Sequence, residues 1–198
     1  MVAAARKDTG QQARAHSLAA GDPLTAQTWA DFVDRLRNDC VGAGVREHCT
    51  SAALFTVQKQ TKTYGFERDY AEGIVVRVDE AEWPTPQKYW EDLSEAQQQY
   101  HNSASQTLFD KNFLELSEED QWDYLAGLPD HMVTGWNSNW EFVNCHFTDD
   151  AANAFIRRKK HDYGRLRVYV ESQFFAWEFE AIKEAILCGR LQLVELNS

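Results

Sequence analysis

The chain lacks most of the short signatures that announce a chemistry. It has no glycine-rich phosphate loop, which argues against nucleotide hydrolysis, and no G-x-S-x-G elbow, which argues against a hydrolase nucleophile on a strand–helix turn. Its four cysteines, Cys40, Cys49, Cys145 and Cys188, share no C-x-x-C spacing, so the usual zinc-site pattern is missing. No apolar run approaches the length of a membrane span. The N-terminus has one Arg-Lys pair but no apolar signal-peptide core, so reduced thiols and a cytoplasmic protein are expected. Internal repeats and low-complexity tracts are absent as well.

What the chain does have is aromatic bulk and charge. Seven Trp, eleven Phe and seven Tyr in 198 residues imply an aromatic-rich core, and the length suffices for one good core. Residues 1–21 are small, polar and mixed, and are expected to form a flexible arm; residues 22–198 are expected to form a single domain. The net charge is −11, unevenly spread. From Glu67 to Asp130 there are sixteen acidic and four basic residues, a net of −12, while the remainder sums to +1. Six cations, Arg157, Arg158, Lys159, Lys160, Arg165 and Arg167, crowd into one short stretch. Such asymmetry concerns partners and solubility rather than fold.

The clearest folding signal lies in residues 140–190. Trp140 to Phe147 alternates Val143, Cys145 and Phe147 on one face, as a strand does. Thr148 offers an N-cap, Asp149 and Asp150 suit a first turn, and Ala151, Ala152, Phe155 and Ile156 form an apolar stripe that runs into the four cations. Gly164 offers a stop. Leu166, Val168 and Val170 then alternate with Arg167, Tyr169 and Glu171 in a second strand. Ser172 is placed to cap a final helix with Phe175, Phe179, Ile182 and Ile186 on its apolar face, closed by Gly189. Parallel pairing of the two strands would make the first helix a crossover.

Phe147-Thr148, Phe155-Ile156, His161, the run Leu-Arg-Val-Tyr-Val-Glu-Ser ending at Ser172, and Trp177-Glu178-Phe179 together resemble the C-terminal segment of an uncharacterised family. Its members are encoded by bacteriophages, prophages and other mobile elements. The resemblance covers roughly the last 60 residues. It implies a genomic neighbourhood, and with it the cytoplasm of a bacterial host cell, but no mechanism.

Upstream, Asp22-Pro23 or Thr25 opens a helix with Trp29, Phe32, Val33, Leu36 and Cys40 on one face, ended by Val41 to Gly44. Residues 45–53 read as a helical turn. Leu54 to Tyr64 and Gly73 to Asp79 read as two strands of an antiparallel hairpin. Thr85 and Pro86 start a helix, and Ser94 to Gln97 is a capping box that splits off a second one. Ser117 starts another with Trp122, Leu125 and Leu128, stopped by Pro129. His131 to Thr134 reads as a short strand and Gly135 to Asn139 as a turn. The fold class is α+β, a mixed sheet with helices packed on it. Residues 22–139 are its acidic, helix-rich part with a hairpin, and residues 140–190 its strand-helix-strand-helix unit.

No arrangement meets the requirements of catalysis, so no catalytic residue, cofactor or metal is assigned. His48 with Cys49 and His146 with Cys145 suggest a zinc site, but neighbours on a strand point to opposite faces. His161 beside Asp162, with Tyr169 or Ser172 near, would be the general base of a small enzyme acting on nucleotides or proteins; a histidine at a helix C-terminus is the plainer account. Glu171, Glu178 and Glu180 read as a solvated face with first-turn dipole stabilisation. The six cations with Tyr169 would suit a nucleic-acid-binding regulator, but the field of a strongly acidic protein opposes direct nucleic-acid binding.

The remaining expectation is an interaction protein that inhibits a host nucleic-acid-handling defence complex, of anti-CRISPR or anti-restriction type. Its partner is a host protein or ribonucleoprotein, with no membrane involved. Asp79, Glu80, Glu82, Glu91, Asp92, Glu118, Glu119 and Asp120 would occupy a cationic groove built for nucleic acid, and Trp83 and Trp90 would anchor them.

Overall fold

The computed structural model describes residues 16–194. Helices begin where hydroxyl side chains can satisfy the N–H groups that a first turn leaves without partners. Thr25 forms a reciprocal capping box with Thr28 at α1 (Ala26–Cys40). The short α2 (Gly44–His48) follows. Thr85 caps α3 (Pro86–Asp92), Ser94 and Gln97 form a second box at α4 (Glu95–Phe109), and Ser117 caps α5 (Glu118–Ala126). Thr148 caps α6 (Asp149–Lys159), which ends ahead of Gly164.

The last helix, α7 (Trp177–Leu187), departs from expectation. Ser172 does not cap it; the helix follows Ala176 with no side-chain cap. Ser172 ends a strand instead, its hydroxyl 3.1 Å from that of Thr50. The buried face of α7 carries Lys183 and Ile186, while Phe175 and Ile182 are exposed. Lys183 can take a buried position because its Nζ donates to the Ser51 carbonyl at 2.7 Å. Gly189, at φ 76°, closes the helix as expected.

Five strands, β1 (Ala53–Phe66), β2 (Gly73–Val78), β3 (Ala81–Trp83), β4 (Met132–His146) and β5 (Leu166–Ser172), pair in the order β3-β2-β4-β1-β5. The fold is α+β, and the sheet is antiparallel rather than mixed. Two expected pairings do not occur. The hairpin between β1 and β2 is replaced, because β4 lies between them. Likewise β4 and β5 are not neighbours: both run antiparallel to β1, which separates them, so α6 is a crossover that skips one strand.

The reason is the length of β4, which runs unbroken through the expected turn at Gly135 to Asn139. Gly135 is needed for close approach rather than for turning. A Cβ there would lie 2.5 Å from the Ala71 Cβ and 2.7 Å from the Phe66 carbonyl oxygen.

The sequence reads residues 22–198 as one domain; the described residues divide into two compact units. One is formed by the described residues up to Gln60 together with those from Trp140 onward, the other by Thr61–Asn139, so the boundary passes through β1 and β4. In the first unit Ala53, Phe55 and Val57 bury against Ala152 of α6, and Leu36 and Cys40 of α1 bury against Ile186. In the second, Val76, Tyr89, Phe113, Leu116, Trp122, Tyr124 and Leu125 form the core. Full burial of such side chains contributes about 1.5–3 kcal/mol each.

Of the arm expected over residues 1–21, residues 1–15 lie outside the described residues. The rest is folded: the Ser17 hydroxyl donates to Asp31 at 2.8 Å, and Arg158 Nη1 donates to the Ala19 carbonyl at 2.8 Å.

Candidate functional site

A groove of about 920 Å³ opens in the first unit, near the upper end of the range typical of ligand sites. Its apolar lining is Phe55 of β1, Ile156 of α6, and Leu166, Val168 and Val170 of β5. Its polar lining comes from α1 (Asp34, Arg35, Asn38, Asp39), α2 (Glu47, His48), α6 (Asp149, Asp150, Asn153) and Arg167 of β5. Helical spacing explains the set. On α1, Leu36 and Cys40 turn towards α7, which leaves Arg35 and Asp39, each one position earlier, on the adjoining face.

Several polar groups here are buried without full satisfaction, which is uncommon in native interiors. Arg35 is only 6% exposed. Its Nε donates to Asp31 and its Nη1 to the Thr148 hydroxyl, both at 2.9 Å, while Nη2 is buried with no partner among the described residues. Both ring nitrogens of His48 are also buried without partners among the described residues, and the ring meets Phe55 edge-on at 5.2 Å. Asp39 accepts hydrogen bonds from the Asp149 backbone N–H and from Asn38, each at 3.0 Å. Burial nevertheless outweighs these bonds and pushes the Asp39 carboxyl above its ordinary range.

The second unit holds a different polar cluster. Tyr89 Oη lies 3.1 Å from His101 Nε2 and 2.7 Å from His131 Nε2, and His101 Nδ1 lies 2.8 Å from Tyr124 Oη. A hydroxyl has one proton, so Tyr89 donates to one imidazole and accepts from the other. Burial lowers both histidines and raises Tyr89, and it pushes Tyr124 up to about 12. The network is therefore neutral at physiological pH.

The acidic residues singled out from the sequence all belong to this second unit. Asp79, Glu80, Glu91, Asp92, Glu118 and Glu119 are exposed, and Glu82 and Asp120 are half-buried. Burial alone would raise Glu82, but hydrogen bonds from Lys62 and Tyr64 outweigh it and hold the carboxylate below its usual range. Trp83 and Trp90 are half-buried. Both pack against the core; Trp90 stacks on Phe113 at 5.2 Å, and Trp83 Nε1 donates to Asp92 at 2.7 Å. Alternating acidic and aromatic positions on short helices put the carboxylates outside and the rings inside.

The basic stretch is divided among local partners. Arg158 is tied to Ala19, Lys159 to Asp162 at 2.6 Å, and Arg167 to Gln58, with its guanidinium 4.0 Å from the Trp140 ring centre. Arg165 lies 5.8 Å from the same ring. Arg157 and Lys160 are exposed. Asp162 is engaged with Lys159, and His161 is exposed. Glu178 and Glu180 occupy the first turn of α7. Cys145 is exposed, whereas His146 packs on Phe155 at 5.5 Å, the opposite orientations that strand alternation requires.

The groove was not foreseen from the sequence. Its residues are scattered from Asp34 to Val170. The available signal was Arg35 and Asp39, charged residues interleaved with the apolar stripe of α1. No protein-family model, no curated protein and no solved structure matches the chain.

Proposed function

We propose that the protein is a non-enzymatic interaction protein whose acidic second unit occupies a cationic, nucleic-acid-handling surface of a host protein or ribonucleoprotein complex. One observation carries this reading, the confinement of charge. The segment Thr61–Asn139 holds sixteen Asp and Glu against five Lys and Arg, a net of −11, and the rest of the chain balances to zero. Carboxylates fixed on short capped helices present a rigid anionic surface, and a field of one sign steers encounter with a basic partner. A surface built to grip phosphates would accept it. The resemblance of the C-terminal segment to a family of mobile elements favours a partner in host defence, such as a CRISPR surveillance complex or a restriction system. Exposed anchors would be Tyr70 and Tyr100, alongside the half-buried Trp83 and Trp90.

The test is capture of the full-length tagged protein's partner from nuclease-treated bacterial lysate, followed by titration of the purified complex. A nuclease-resistant, stoichiometric complex that competes with nucleic acid is expected. Reversing Asp79, Glu80, Glu91, Glu118 and Glu119 to Lys should weaken it at least tenfold. Unchanged affinity of the reversed variant would exclude the groove-blocking role.

A further inference from the structure

The first unit carries a second recognition feature, independent of the acidic surface. In an antiparallel pair, hydrogen-bonded positions alternate along each strand. Gln60 N–H donates to the Arg165 carbonyl and Gln173 N–H to the Ala52 carbonyl, while the register matches Ala53 with Ser172 and Lys59 with Leu166. Arg167, Tyr169 and Glu171 therefore direct their backbone groups to β1, and Leu166, Val168 and Val170 direct theirs away from it. β5 is the last strand of the sheet. Among the described residues no backbone group bonds those outward N–H and C=O groups. The same three residues contribute to the apolar lining of the groove.

The groove's charge is complementary to a cation. Asp39, Glu47, Asp149 and Asp150 line it, together with Asp34, which is ion-paired with Arg37 at 3.3 Å. Of its two cations, Arg35 is paired with Asp31, and the Arg167 guanidinium is held by Gln58, on the sheet face opposite Phe55 and Val57. We propose that the free edge of β5 accepts a sixth strand, an extended segment of a partner protein in which lysine or arginine alternates with aliphatic residues. Its backbone completes the ladder on Leu166, Val168 and Val170. Every second side chain lies along the apolar lining and delivers its cation to the carboxylates.

The probe is a fluorescein-labelled heptapeptide of alternating lysine and valine, titrated against the full-length protein by anisotropy. Three comparisons accompany it: a glutamate–valine heptapeptide, and the lysine peptide N-methylated at every second backbone nitrogen in each of the two registers. On the protein side, Val168→Pro deletes one outward N–H and leaves the bonds to β1 intact. Saturable binding is expected, weakened at least tenfold by one N-methyl register, by Val168→Pro and by glutamate for lysine. The amide resonances of Leu166, Val168 and Val170 should shift.

Equal binding of both N-methylated peptides, or of Val168→Pro, would mean association by charge alone and overturn the proposal. So would no saturation at millimolar peptide, or a dimer of the protein that Val168→Pro abolishes, since the edge would then serve a second copy. If Val168→Pro does not fold, the N-methylated peptides on the native chain decide.

Discussion

The unit Thr61–Asn139 carries the net charge of the whole protein, yet its histidines and tyrosines bond one another in a neutral interior network. The other unit balances fifteen charges of each sign. Its buried Arg35 and His48 nevertheless keep hydrogen-bonding capacity that no described residue meets. Surface charge separates the two units, whereas unmet buried polarity does not: Arg77 Nε and His131 Nδ1 of the acidic unit also lack partners among the described residues. The first speaks through a long-range field to a partner's electrostatics; the second speaks only to a group that enters and makes the missing bonds.

The harshest way to break the contrast is to open the closed interior. Phe113 is fully buried and stacked on Trp90. Phe113→Ala should lower stability by about 3–5 kcal/mol, read from the urea midpoint at constant m-value. A midpoint shift within error would show that the cluster is not the core of its unit.

A milder test uses pH, because Asp39 in one unit and the His101–His131 pair in the other titrate in opposite senses. His101 and His131, which face Tyr89, Tyr100 and Tyr124 with Asp130 alongside, have pKa values below the ordinary 6.5. Their contribution is full above pH 6.5 and is lost as pH falls towards their folded values, where the unfolded chain binds protons first. Asp39 lies above the ordinary 3.8, so its contribution is full below pH 3.8 and is lost as pH rises through its folded value. Urea titrations across pH should show His131→Phe flattening the limb below pH 6.5. Asp39→Asn should raise stability at neutral pH relative to acid. The reverse pattern would refute the opposition.

The smallest effects compare two caps. Ser117→Ala removes an exposed cap from α5 and should cost ~1 kcal/mol. Thr148→Ala removes the cap of α6 and also strands Arg35 Nη1, adding ~1–3 kcal/mol. Thermal denaturation of both variants would show whether the larger shift belongs to Thr148. Equal shifts would mean that the Arg35 bond contributes nothing.

These elements also show what could be read from the sequence. Thr25, Thr85, Ser94, Ser117 and Thr148 act within one helical turn, so helix starts were legible from adjacent residues. Strand order was not, because nothing near β1 or β2 in sequence reveals that β4 passes between them. Gly135 carries the composition of a turn, and only the approach of Phe66 and Ala71 explains it. Most of the carboxylates were legible as surface, but the half-burial of Trp83 and Trp90 was not, since an aromatic beside acidic residues reads alike whichever way its ring faces. The groove required Arg35, Glu47, Asp150 and Val168 to be brought together from four elements.

The division at Gln60 and Trp140 orders events during synthesis. All residues of Thr61–Asn139 have been made once Asn139 leaves the ribosome. The surrounding unit is split in sequence, and Phe55 and Val57 of β1 wait for Val168 and Val170. At ~5–20 residues per second the residues from Trp140 to Val170 take roughly 1.5–6 s to appear. Throughout that interval the β5 side of an apolar strand is unpaired and tethered to the most strongly charged part of the nascent chain. A tether of that net charge opposes association of the unpaired strand with like-charged copies until β5 arrives.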